Sequence, residues 1–250
     1  MKVLILAAGM GTRLKPWTEH HPKALVPVGG IPMLERQIYR LKRSGFDDMY
    51  INIHHFGDQI IEFLDINDFG VKVKISDERE KLLDTGGGIL HASEEMFSEN
   101  EEPVLIHNAD ILSNADLKKL MEYHEQSGND VTLLTSGREN SRKLIFDSKG
   151  YLKGWHDLKS DSYRPCDYMA EEGDREVAFS GIYILGKSAV EALSGYADMT
   201  GREIFPIMDF FLAMYPNVKI GEYYDPSLRL LDIGKPDALA KAEKEYGDLL

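Results

Sequence analysis

Five apolar residues near the start of the chain, Val3-Leu4-Ile5-Leu6-Ala7, run without a polar interruption into Ala8-Gly9-Met10-Gly11-Thr12-Arg13-Leu14. A run this short and continuous suits a strand buried on both faces of a parallel sheet. The residues that follow are small, which leaves the backbone N–H groups bare, and the loop ends in a cation. A second cation stands in Pro22-Lys23-Ala24-Leu25-Val26-Pro27-Val28. Bare amides and two positive charges just past a strand suit an anion, and a polyphosphate satisfies both.

The remainder alternates strands and helices. Apolar residues at 33, 34, 38 and 41 make a helical stripe, and Ile60, Ile61, Phe63 and Leu64 make another between strands at Tyr50–Ile53 and Val71–Ile75. A strand at Val104–His107 ends in Asn108-Ala109-Asp110. Leu117, Leu120, Met121 and His124 mark the next helix, and Val131–Leu134 the next strand. This rhythm predicts an α/β fold, Rossmann-like, with a mainly parallel sheet and helices on both faces. Ligands in such sheets sit beyond the carboxyl ends of the strands, so Gly9–Arg13 and Asp110 fall at one crevice.

After residue 135 the rhythm changes. Lys143–Phe146 and Tyr151–Trp155 flank Asp147-Ser148-Lys149-Gly150 and read as a β-hairpin. Residues 156–175 are polar without a clear period and read as a long loop. Strands are expected at Ala178–Leu185, Val218–Tyr224 and Leu228–Asp232, with helices at Arg202–Met214 and Lys235–Tyr246. The chain is taken as one domain, 1–250, in three parts: the alternating part at 1–135, a part with a small hairpin and loop at 136–234, and a closing helix at 235–250.

Composition excludes several classes. A net charge of −13 argues against general nucleic-acid or anionic-membrane binding. No apolar stretch approaches the roughly 20 residues of a membrane span, and no signal peptide is expected. The single cysteine, Cys166, leaves no internal disulfide and suits a reducing cytoplasm. A dinucleotide fingerprint fails because Leu14 stands where the third glycine belongs and no ribose-binding acid follows; a Walker loop is absent. Those absences count against an NAD-type oxidoreductase.

The string Leu6-Ala7-Ala8-Gly9-x-Gly11-Thr12-Arg13-Leu14, then Pro16, then Pro22-Lys23-x-Leu25-x-Pro27-Val28, resembles the signature of sugar-1-phosphate nucleotidyltransferases. The resemblance continues through Asp84-Thr85-Gly86-Gly87-Gly88, similar to the family's base-reading loop. Asn108-Ala109-Asp110 is similar to its metal segment, with Ala109 a departure. Phe179-Ser180-Gly181-Ile182 looks like its sugar-binding strand. Leu231-Asp232-Ile233-Gly234 looks like the segment of the second metal aspartate, with Lys235 where threonine is usual. The compact size and the T-G-G-G-I and F-S-G-I strings are most similar to the N-acetylmuramate-1-phosphate uridylyltransferase branch, with mannose- or heptose-1-phosphate guanylyltransferases as the alternative.

The resemblance implies transfer of a nucleoside monophosphate from UTP or GTP to a sugar 1-phosphate, with Mg²⁺ as cofactor. It implies Arg13 and Lys23 as catalytic residues. Nucleotide contacts fall to Leu6, Ala7, Ala8, Gly9, Gly11, Thr12, Arg13, Lys23, Thr85, Gly86, Gly87 and Asn108. Sugar contacts fall to Ser180, Gly181, Glu171 and Arg142, and the metal to Asp110 and Asp232. The residue types suit this chemistry. A phosphate monoester is largely a dianion at neutral pH, its second pKa being about 6, so it needs no general base. The difficulty is gathering negative groups, which calls for positioning and charge neutralisation. Arg13 can fork onto phosphate oxygens, Lys23 is a compact point charge, and two carboxylates suffice for Mg²⁺ with phosphates and water.

Other residues read more weakly. His54 and His55 suit a polar rim rather than a metal, Asn52 a structural role and Trp155 the core. Arg138, Arg142 and Lys143 form either a sugar-phosphate contact or a solvated hairpin edge. Oligomeric state is undetermined by the sequence. A non-catalytic nucleotide-sugar sensor is the reading from another class, and the retained cations and aspartates weigh against it.

Overall fold

The computed structural model describes residues 1–98, 100–234 and 236–245. Strand β1 (Lys2–Leu6) lies at the centre of a ten-stranded sheet. It pairs in parallel with β4 (Asp48–Ile53) on one side and with β6 (Val104–Asn108) on the other. Beyond β4 lies β5 (Lys72–Asp77), also parallel. Leu6 is in register with Asn52 and with Asn108, so three strands end side by side at one level.

Alternation along β1 explains its continuous apolar sequence. Leu4 faces a core built with α3 (Asp84–Met96), α5 (Lys187–Thr200) and α6 (Ile207–Met214). Val3 and Ile5 face the opposite core, built with α1 (Met33–Arg43), α2 (Gly57–Ile66) and α4 (Leu117–Ser127). Helices therefore cover both faces, as the sequence predicts, and β1 has no polar face to spare.

On the far side of β6 the sheet turns antiparallel. The eleven-residue β12 (Arg175–Leu185) runs against β6 with its second half and against β9 (Arg142–Phe146) with its first. It also pairs with β8 (Val131–Ser136), which is parallel to β13 (Ile220–Tyr224). Strand β10 (Leu152–Asp157) completes the expected hairpin with β9, and β11 (Ser162–Arg164) adds a further strand. The 156–175 stretch is thus partly strand rather than a continuous loop. His156 ties it down from within, bonding Glu176 at 2.8 Å and Asp161 at 3.0 Å while stacking on Tyr163.

Two ribbons lie outside the main sheet: β2 (Pro27–Val28) with β3 (Ile31–Pro32), and β7 (Ile111–Ser113) with β14 (Leu230–Asp232). Helix α7 (Pro236–Glu245) packs Ala242 beside Leu14, Val26, Met33 and Ile233. Lys235 and residues 246–250 of the expected closing helix lie outside the described residues.

Two helices depart from expectation. The helix expected at Arg202–Met214 begins at Ile207, because Pro206 disfavours helical backbone at the residue before it. Helix α5 went unassigned in the sequence, although Ala189, Val190, Leu193 and Tyr196 carry a helical stripe between Gly186 and a left-handed Gly201.

Two buried imidazoles each count against the folded state in acid. Burial pushes His107 down to about 3, aided by the nearby Arg40 guanidinium, and pushes His124 down to about 4. Both folded values lie below the unfolded 6.5, so the unfolded chain binds more protons. Their contribution is full above pH 6.5 and falls away as pH drops. Each can add a slope approaching about 1.4 kcal/mol per pH unit. Urea unfolding compared between pH 7 and 5 should show His124→Gln losing less stability with acid than the parent.

Candidate active site

The loop after β1 is tied down before it reaches solvent. Asn52, at the end of the neighbouring β4, accepts from the amides of Ala7 at 2.6 Å and Ala8 at 3.3 Å through Oδ1. Its Nδ2 donates to Glu78 at 2.7 Å, and the other oxygen of Glu78 accepts from the Leu83 amide at 3.1 Å. Burial raises the Glu78 carboxyl above its ordinary range, against the Asn52 and Leu83 hydrogen bonds. The loop amides of Gly9, Gly11 and Thr12 have no acceptor among the described residues. Gly11 is left-handed, at φ +61°, and a Cβ there would lie 2.7 Å from Thr18 Cγ2 and 2.8 Å from Lys23 Cβ. Only glycine lets the loop close onto the Lys23 stem.

Four charged residues then converge. Lys23 forms an ion pair with Asp110 Oδ2, and Arg13 Nη2 lies 3.9 Å from Asp232 Oδ2. The Gly234 amide donates to Asp232 Oδ1 at 2.7 Å. A Cβ on Gly234 would lie 2.9 Å from both Arg13 Nη2 and Lys23 Nζ, which sets the two cations beside one another. The ribbon of β7 and β14 explains how residues so far apart in the chain meet. Asp232 is opposite Ile111, and the Ile233 amide donates to the Asp110 carbonyl at 2.9 Å. Burial pushes the Asp110 carboxyl up; the Lys23 ammonium opposes this, and Asp232 adds to it.

This donor set fits a hard divalent cation. Among the described residues no group of three or more His, Cys, Asp or Glu side chains gathers, so no all-protein cage of the zinc or calcium kind is built. Two adjacent carboxylates are what Mg²⁺ uses when phosphates and water supply the other oxygens. The Lys23 ammonium meanwhile stands against Asp110 as a cation would.

A cavity of about 440 Å³ opens beside this cluster. Leu6, Ala7, Ala8, Gly9, Lys23, Asn108 and Asp110 line it, with Asn52, Glu78, Leu82, Asp84, Thr85 and Ile204 at its other walls. Most of the expected nucleotide residues therefore share one cleft at the strand ends. Gly11, Thr12 and Arg13 are not among its walls, and neither are Gly86 and Gly87. The last two are buried in the first turn of α3 rather than in a loop, and both amides point to the Phe205 carbonyl, at 2.8 and 3.4 Å. A Cβ on Gly86 would lie 2.4 Å from the Phe205 ring, and one on Gly87 2.2 Å from the Glu203 carbonyl. These glycines pack the helix start against residues 203–205, and Thr85 accepts from the Ile207 amide at 2.9 Å.

The expected sugar residues sit apart from the cavity walls. Ser180 is buried, with its hydroxyl bonded within its own strand to the Ile182 amide and carbonyl, at 3.0 and 3.2 Å. Gly181, at φ +76°, makes room for Asn108, whose Nδ2 would be 2.7 Å from a Cβ there. Glu171 pairs with Lys153 at 2.8 Å, and Arg142 lies 3.9 Å from Asp157, both exposed on the hairpin side. His54 and His55 bond backbone carbonyls, of Glu78 at 2.6 Å and Thr18 at 3.1 Å. The Asn52–Glu78 brace is the part that sequence reasoning missed as a site element. Its signal was an asparagine inside an apolar strand, because a buried amide needs partners.

Fold and cleft together are those of a nucleotide-handling α/β protein. Residues 2–248 match the nucleotidyl transferase family, and the chain belongs to it. It is 27% identical, over its whole length, to mannose-1-phosphate guanylyltransferase 1 of Arabidopsis thaliana, spanning 66% of that protein. It is 28% identical to mannose-1-phosphate guanyltransferase of Yarrowia lipolytica over 94% of this chain and 61% of that one. The chain thus spans less than two thirds of these relatives. The crystal structure of HddC from Yersinia pseudotuberculosis, complexed with GMP-PN, shares the fold with a TM-score of 0.72 and 24% identity, over 98% of this chain and 99% of that one.

The packing role of the α3 glycines is testable. Gly87→Ala should destabilise the protein by about 1–3 kcal/mol through overpacking against the Glu203 carbonyl, read as a lower urea midpoint at unchanged m-value.

Proposed function

We propose that this protein transfers a nucleoside monophosphate from a nucleoside triphosphate to a sugar 1-phosphate, releasing pyrophosphate. The observation that carries the reading is the convergence of Arg13, Lys23, Asp110 and Asp232 beside the β1 loop. A non-bridging oxygen of the sugar phosphate attacks the α-phosphorus. The bond from that phosphorus to the bridging oxygen of the β-phosphate breaks, and pyrophosphate takes the electron pair. No proton need be removed from a dianionic nucleophile.

The free amides of Gly9, Gly11 and Thr12 cradle the β- and γ-phosphates. Arg13 forks onto their oxygens. Lys23 leaves Asp110 for the α-phosphate, where negative charge gathers. Asp110 and Asp232 would hold Mg²⁺, which when bound supplies neutralisation of phosphate charge. The base lies toward Glu78, Asp84 and Thr85, and Asn52 holds the loop in shape. Residues 1–135 serve the nucleotide, and 136–234 the sugar, with Glu171, Arg142, Ser180 and Gly181 on that side. The reaction belongs in the cytoplasm, where nucleotide triphosphates and thiols such as Cys166 coexist.

Within this class, uridylyl transfer to an amino-sugar 1-phosphate such as N-acetylmuramate 1-phosphate is the favoured reading, supported by the T-G-G-G-I and F-S-G-I strings. Guanylyl transfer is the second, supported by the named guanylyltransferases among the relatives. Pyrophosphate release with Mg²⁺, across UTP and GTP and a panel of sugar 1-phosphates, decides between them. Nucleotide-sugar binding with no pyrophosphate from any pair would return the protein to the class of sensors.

Asp110→Asn and Asp232→Asn should each lower kcat by at least about 10²-fold while the melting temperature holds, in the range seen when preorganised charge stabilisation is lost. Lys23→Ala should lower kcat far more than it weakens nucleotide binding, read by single-turnover kinetics beside equilibrium titration.

A further inference from the structure

The ribbon of β7 and β14 has three residues per strand and stands apart from the main sheet. A two-stranded ribbon is marginal by itself. Its register nevertheless sets where both carboxylates sit, since Asp232 lies opposite Ile111 and Asp110 immediately precedes it. The Ile233 amide donates to the Asp110 carbonyl, and the Asn114 amide to the Arg229 carbonyl. In an antiparallel ladder, alternate residues bond the partner, so the Ile111 carbonyl points away from β14.

That outward edge is met by α1. Gln37, 1% exposed, donates from Nε2 to the Ile111 carbonyl. Arg40, one turn on, donates from Nη2 to the Ala115 carbonyl at 2.9 Å. Gln37 thus does for Ile111 what a third strand would do. It does so at a cost, because its Oε1 is buried with no partner among the described residues. What the side chain contributes is the donor.

We infer that Gln37 is a positioning residue which, through the Ile111 carbonyl, fixes the spacing of Asp110 and Asp232 and with it the divalent-cation affinity of the pair. The inference rests on the reading of those aspartates as the metal pair. Its test is Mn²⁺ titration by electron paramagnetic resonance on the full chain, with a non-hydrolysable nucleotide and no turnover. Gln37→Met should weaken Mn²⁺ binding on the order of tenfold, the low end of what outer partners of metal ligands contribute, with metal-free nucleotide binding unchanged. Ile38→Ala, at the adjacent fully buried position, should lower the melting temperature and leave Mn²⁺ affinity alone. Should Gln37→Met not fold, Gln37→Asn, which shortens the donor's reach, is read the same way. Wild-type Mn²⁺ affinity in the Gln37 variant, or equal weakening in Ile38→Ala, overturns the inference. Unchanged affinity in Asp110→Ala would instead overturn the metal reading beneath it.

Discussion

Two carboxylates cannot both stay ionised in a half-buried site without opposite charge beside them, and the cleft is organised around that constraint. Asp110 and Asp232 are brought together by a three-residue ribbon, and Lys23 and Arg13 stand against them. Burial and the second carboxylate raise the Asp110 carboxyl, while Lys23 holds it down. A site balanced in this way gains from a divalent cation and from phosphate oxygens together, since each then satisfies the partner the other displaces.

The rest of the fold serves that balance. The three central strands end at one level, which sets Leu6 between Asn52 and Asn108. Asn52 takes up the first two loop amides, while those of Gly9, Gly11 and Thr12 have no acceptor among the described residues. Gly11 lets the loop fold onto Lys23, and Gly234 lets both cations approach the chain just after Asp232. At Gly11 the aliphatic stem of Lys23 comes against the backbone, and at Gly234 the charged ends of Arg13 and Lys23 do.

What was legible in the sequence was local. The β1 run, the loop, Lys23 and the Asp110 segment are each contiguous strings, and their pattern carries both fold class and family. What was illegible depends on contacts between distant segments. Nothing in the spacing pairs Asp110 with Asp232; the β7–β14 register does. Gly86 and Gly87 read as part of a ligand loop, and the packing of residues 203–205 against them shows only in the fold. Ser180 reads as a sugar contact, and the bonding of its hydroxyl within its own strand shows only in the fold. Helix α5 is the exception, since its apolar stripe between Gly186 and Gly201 is local and legible in the sequence.

The central claim is that the four charges form one metal and phosphate site whose Lys23–Asp110 contact is exchanged when substrate binds. Anomalous diffraction from crystals holding Mn²⁺ and a non-hydrolysable nucleoside triphosphate tests it most directly. The account predicts a manganese peak touching the carboxylates of Asp110 and Asp232, with Lys23 moved from Asp110 onto a phosphate oxygen. A bound nucleotide with manganese elsewhere, or with the Lys23–Asp110 pair intact, would contradict it.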